Sequence, residues 1–148
     1  MERSSPYFRD LACQMLAYEA GGKESSEEMA EVGQRICQKL DQQMTKLIGP
    51  AGLSALTSRA LYLARVEFPF LNGVSIETQE KTCLEGLRES VVGRPPTEAV
   101  SAIEAIFANF VWLLMTFIGE DLALRQVRNI WPEISPDGAD GGAKEGMK

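Results

Sequence analysis

Four residues carry the chemistry that this sequence sets among apolar neighbours: Asn109, Thr116 and Glu120 on one predicted helix, and Arg59 on another. The first three stand at i, i+7 and i+11, which at about 100° per residue places them within about 40° of one another on a helix. Around them runs IFANFVWLLMTFI, from Ile106 to Ile118, apolar except for Asn109 and Thr116. Phe117, Leu124 and Val127 flank Glu120 at helical neighbour positions, so the pattern turns that carboxylate inward. A buried carboxylate must be protonated, hydrogen-bonded or paired with a cation. Arg59, between Leu56 and Leu63 on an apolar face, is the cation on offer. The first expectation is a buried pair of Glu120 and Arg59 that sets helix register. The second makes the same stripe the polar floor of a pocket, with Asn109 and Thr116 orienting a small apolar ligand between Phe107, Phe110, Trp112 and Phe117.

Other chemistry is excluded more firmly than any is indicated. The chain of 148 residues has no histidine, which removes histidine phosphotransfer, HExxH metalloproteases, Ser-His-Asp hydrolases and histidine-ligated haem. Glu120 and Asp121 are adjacent, so on a helix they diverge by about 100°, and no ExxH motif offers further ligands; no metal site is expected. Cys13, Cys37 and Cys83 are odd in number, widely spaced and without CxxC, which predicts buried, reduced thiols in place of a disulfide framework or zinc site. No phosphate-binding glycine loop is present, so no cofactor is expected, and Glu120 is the single acid or base to consider for catalysis. A net charge of −6 with no basic run argues against nucleic acid as a partner. The charged N-terminus lacks the apolar stretch of a signal peptide, so the expected location is cytoplasmic.

The elements that must position these residues are helices. Pro6 suits the first turn of a helix whose one face reads Phe8, Leu11, Ala12 and Met15, and Gly21-Gly22 ends it. Ser25 and Glu28 have the spacing of a capping box, opening a long helix with Met29, Val32, Ile36, Leu40, Met44 and Leu47 along one stripe and Gly33 as a local weakness. Gly49-Pro50 stops it. A third helix runs through Leu53, Leu56, Ala60 and Leu63 and closes near Glu67 before Pro69. FPFLNGV reads as a packed turn; the following SIETQEKT is too polar for a core strand and leads into a fourth, weaker helix from about Thr78 to Val92. GRPP breaks the chain again, Thr97 is the predicted N-cap, and the apolar helix runs toward Trp131 with Gly119 marking a bend. The apolar run from Ile106 would rise only about 20 Å as a helix, short of a bilayer core of about 30 Å, so it should be a buried central helix, not a stable membrane span. The prediction is an all-α, single-domain bundle of four to five helices over residues 1–134, with a polar, glycine-rich tail at 135–148.

GPAGLSALTSRALYLARVEFPFL, at Gly49 to Leu71, and LLMTFIGEDLALRQVRNIWPE, at Leu113 to Glu133, resemble two blocks of a family of small bacterial all-helical proteins with no established activity. The resemblance implies a bacterial source and, since the blocks contain Arg59 and Glu120, is compatible with their pairing.

These features favour a non-enzymatic helical module that binds another protein, as an adaptor or regulatory subunit or by self-association into a homo-oligomer. Its mark would be an exposed apolar patch. The alternative is a carrier or sensor of an apolar small molecule held between helices, marked by a pocket reaching Asn109, Thr116 or Glu120. A third reading, by analogy alone, is a membrane-active protein that releases its apolar helix.

Overall fold

The computed structural model describes residues 5–22, 25–76 and 84–134 and is all-α, with five helices and one very short strand pair. Helix α1, Pro6–Ala20, begins with Ser5 Oγ accepting the Tyr7 N–H at 3.2 Å and with Pro6 where no backbone donor is needed. It stops at Gly21, whose left-handed φ of 55° lets its N–H turn back to the Ala17 carbonyl.

Helix α2, Ser26–Glu67, opens with a complete capping box: Ser25 Oγ accepts the Glu28 N–H at 3.1 Å and the Glu28 carboxylate accepts the Ser25 N–H at 3.2 Å. As one rod its 42 residues would extend about 63 Å. It is instead a hairpin of two limbs, residues 26–48 and 50–67, broken at Gly49 with φ 80° and ψ 161°, a conformation almost reserved for glycine. The contacts show the second limb folding back. Gly33 on the first limb lies under Ile103. One residue on from Ile103, Glu104 shares Arg9 with Glu67, the last residue of the second limb.

A 3-10 turn, Pro69–Gly73, follows, matching the packed turn read from FPFLNGV, with Leu71 and Val74 buried beneath it. The next segment corrects the expectation of no strand there. Ser75–Ile76 (β1) pairs antiparallel with Leu84–Glu85 (β2). Leu84 is fully buried in the core, and the Gln34 side chain clamps its backbone, donating to its carbonyl and accepting its N–H at 3.1 Å. The predicted fourth helix is correspondingly short: α3 spans Leu87–Val91, Leu84–Glu85 of the expected helix are strand, and its earlier part, 78–83, lies outside the described residues.

Helix α4, Pro96–Ile118, starts one residue before the predicted cap. Pro96 itself supplies the preset φ of the first turn, so Thr97 lies inside the helix and Pro95 is the cap. Ser26 Oγ donates to the Arg94 carbonyl at 2.6 Å, and Gly33 meets Ile103, so α4 runs alongside the first limb of α2 in the same direction. Gly119, with φ 94° and ψ 155°, repeats the conformation of Gly49 and separates α4 from α5, Glu120–Ile130. Helix α5 returns along the first limb, since Gln43 donates to Gln126 at 2.6 Å and Trp131 reaches the residues around Lys39 through Glu19. Two hairpins therefore reverse at the same end of the bundle. Both reversals read apolar-Ile-Gly: Leu47-Ile48-Gly49 and Phe117-Ile118-Gly119.

The core lies between α1, the first limb of α2, α4 and α5, with Phe8, Leu11, Met15, Ile36, Met44, Ile103 and Ile106 almost fully buried. Trp131 is also fully buried and closes over it. Helix α4 is long and apolar enough to cross a membrane by length and composition, and 56% of its most apolar stretch is buried within the protein. Of the apolar run expected to be buried, Ile106 to Val111 and Leu114 are, while Trp112 and Leu113 are half-buried. The expectation fails in the last turn, where Thr116 and Phe117 are exposed. The predicted tail, 135–148, lies outside the described residues.

Candidate functional site

The polar stripe does not assemble. Asn109 is buried, and its side-chain amide donates to the Ala105 carbonyl one turn back at 2.8 Å. Thr116 does the same to Trp112 at 2.9 Å, but on an exposed face. Glu120 is exposed in the first turn of α5, where a carboxylate suits the positive end of the helix dipole. Arg59 is exposed on the second limb of α2, its guanidinium 5.6 Å from the centroid of the Tyr62 ring. Among the described residues no ion pair joins Arg59 to Glu120. For Glu120 the physical cause is that the i, i+7, i+11 phase assumes an unbroken helix, and the backbone at Gly119 re-aims everything after it; Thr116 is already exposed in the last turn before that break.

A different constellation forms between α1 and α4, which run antiparallel. Short side chains at helical spacing on both, Ala17 and Ala20 on α1, Thr97 and Ser101 on α4, leave an open groove of about 510 Å³. Cys13 and Glu104 meet at one end of it, and the buried side chains of Leu16 and Met29 underlie it. Cys13 corrects the expectation of buried thiols: it is exposed, while Cys37 is buried and Cys83 lies outside the described residues.

The electrostatics of this end are set by few groups. The Glu104 side chain is 17% exposed. Burial pushes its carboxyl up from the ordinary value, against the opposing pull of the Cys13 hydrogen bond and the Arg9 charge, with Asp10 adding a further push upward. Cys13 is raised as well, by burial first and then by the Glu104 charge, so its thiol stays protonated and donates to the carboxylate. That is the opposite of an activated nucleophile. Arg9 is divided among three acceptors: Glu67 at 3.2 Å, the Ser101 carbonyl at 3.4 Å and Glu104 at 3.9 Å.

A second polar cluster has a structural character. Glu19, at the end of α1, receives Arg35 at 3.2 Å, Lys39, and the Trp131 indole at 2.8 Å. Among the described residues no three side chains of metal-ligating type come together, and every buried side-chain polar atom has a partner.

The third notable surface is the end where the hairpins reverse. Phe117 is 62% exposed and Leu47 42% exposed, each two residues before its glycine, with the half-buried Ile48 and Ile118 beside them. On the outer face of the second limb of α2, Tyr62 and Val66 are also open, at 53% and 70%.

Sequence reading missed the groove because Thr97, Val100, Ser101 and Glu104 look like an ordinary solvated face. The available signal was that both α1 and α4 place short side chains at three- and four-residue intervals where large apolar ones would close the gap. The chain matches no protein-family model, no curated protein and no solved structure.

Proposed function

We propose that the chain is a non-enzymatic helical module that binds another protein through the apolar end at which its two hairpins reverse. The observation that carries this reading is the exposure of Phe117 and Leu47 at matching positions before Gly119 and Gly49. A Phe or Leu side chain taken from water into a contact contributes about 1.5–3 kcal/mol, and aromatic anchors of this kind dominate binding energy in protein interfaces. The glycine breaks hold both side chains on the ends of rigid helices, which limits the entropy lost when they are covered. The protonated Cys13 thiol and the exposed, first-turn position of Glu120 give no support to catalysis at either group.

Photo-crosslinking tests the proposal. A benzophenone side chain at position 117, in the cells that make the protein, should yield one defined protein adduct, with either another protein or a second copy. The same group at the exposed Glu31 position, on α2, should yield none. Equal labelling patterns from the two positions would remove the proposal.

A second reading, a carrier or sensor of a small molecule bound between helices, is favoured by the groove of α1 and α4. It takes up the ligand-pocket idea at a new place, away from Asn109, Thr116 and Glu120.

A further inference from the structure

We infer that the groove between α1 and α4 is a binding site for a small amphipathic organic cation, an ammonium head on an apolar body, with Glu104 receiving the head and the Ala17, Ala20 and Val100 walls taking the body. The inference rests on the small-molecule reading above and names its ligand class.

Size and shape come first. The groove holds about 510 Å³, within the range of about 300–1,000 Å³ typical of small-ligand sites. Its walls are mostly aliphatic, and the one charged group among its lining residues stands at one end, where the Glu104 carboxylate and the Cys13 thiol meet. Such a site sorts ligands by having one head-group position and an apolar remainder.

Charge then decides which head group fits. Among the described residues no cation lines the groove. The nearest, Arg9, sits 3.9 Å from Glu104 through Nε while its terminal nitrogens serve Glu67 and the Ser101 carbonyl. Arg9 is shared between Glu67 and Glu104, and the Asp10 charge acts on Glu104 as well, so carboxylates outnumber the one guanidinium and leave this end of the groove negative. The Glu104 side chain is largely shielded from water, so a cation placed against it is screened less than one on the open surface. A ligand carboxylate would meet the same charges as repulsion. An uncharged head would leave the Glu104 carboxylate as poorly compensated as before.

Titration calorimetry on the full chain tests this with three matched probes: phenylbutylamine, the corresponding alcohol and the corresponding carboxylate. The amine should bind about tenfold or more tightly than the alcohol, as expected when a hydrogen bond becomes charge-assisted on both sides, and the carboxylate should bind weakest. Glu104→Gln should bring amine and alcohol to equal affinity, and Ala17→Trp should abolish binding of all three by filling the groove. Backbone chemical shifts of the wild type, which need no variant, should move around Cys13, Ala17 and Val100 when the amine is added. Equal binding of amine and alcohol would overturn the ligand class while leaving a small-molecule site. Absence of binding by every probe at millimolar concentration, or shifts elsewhere in the molecule, would overturn both.

Discussion

The indole Nε1 of Trp131 donates to Oε2 of Glu19 at 2.8 Å, tying the residue after the last helix to the end of the first. Trp131 is fully buried and the Glu19 side chain is 5% exposed, so the bond forms where water cannot replace it. Trp131→Phe keeps most of the ring but removes the donor. It should lower the unfolding free energy by about 1.5–3 kcal/mol, the usual worth of a hydrogen bond to a charged group. Urea denaturation measures this, and an unchanged midpoint would show that the bond contributes nothing to stability.

Glu19 and Glu104 should respond to pH in opposite senses. Burial alone would raise Glu19, but hydrogen bonds from Lys39 and Trp131, the Lys39 charge and the bond from Arg35 hold it below its ordinary value of 4.5. Its contribution to stability is therefore present above that value and lost as pH falls through the lowered one. Glu104 is raised, chiefly by burial, so its contribution is present below 4.5 and lost as pH rises through the raised value. Thermal melts from about pH 2 to about pH 7 should show Glu19→Gln losing ground to wild type as pH rises toward 4.5 and holding level above it, and Glu104→Gln improving relative to wild type as pH rises above 4.5. Parallel curves for both variants would contradict the assignment.

Gly49 and Gly119 each have open space where a Cβ would project, so any cost of adding one is backbone strain alone. Gly49→Ala and Gly119→Ala should each destabilise by about 1–3 kcal/mol, the cost of holding a non-glycine residue in that region. Gly52, inside the second limb with ordinary contact to Ile48, is the control: Gly52→Ala should stabilise by about 0.5–1 kcal/mol through the unfolded chain and helix propensity. If all three behaved alike in denaturant titrations, the reversals would not depend on glycine.

Arg59→Met and Glu120→Gln, both at exposed positions, should each change stability by no more than about 0.5 kcal/mol and should add when combined. A coupling clearly above that margin in the double-mutant cycle would mean that the two side chains meet in solution.

Punctuation residues made much of the fold legible. Ser25 with Glu28, Gly21, Gly49-Pro50 and the prolines at 95 and 96 act through local backbone constraints, and the structure places a helix boundary or break at each. The candidate site was not legible in the same way. The face on which Glu120 lies depends on the backbone angles of Gly119, and residue type alone does not give those angles. The β1 and β2 pair escaped notice because its support is the side chain of Gln34, fifty residues from Leu84 in sequence. The groove is a property of two helices at once: Ala17 is unremarkable until Val100 is opposite it.

The paired reversals bear on how the polypeptide reaches its native state. Each hairpin joins stretches that are neighbours along the chain, so closing it loses little loop entropy, and both can zip independently before they meet. The Trp131 bond to Glu19, by contrast, joins residues 112 apart in the chain, so it closes a far longer loop than either hairpin. Two self-closing halves joined by one long-range clasp at Glu19 predict that hairpin formation is fast relative to the formation of that clasp.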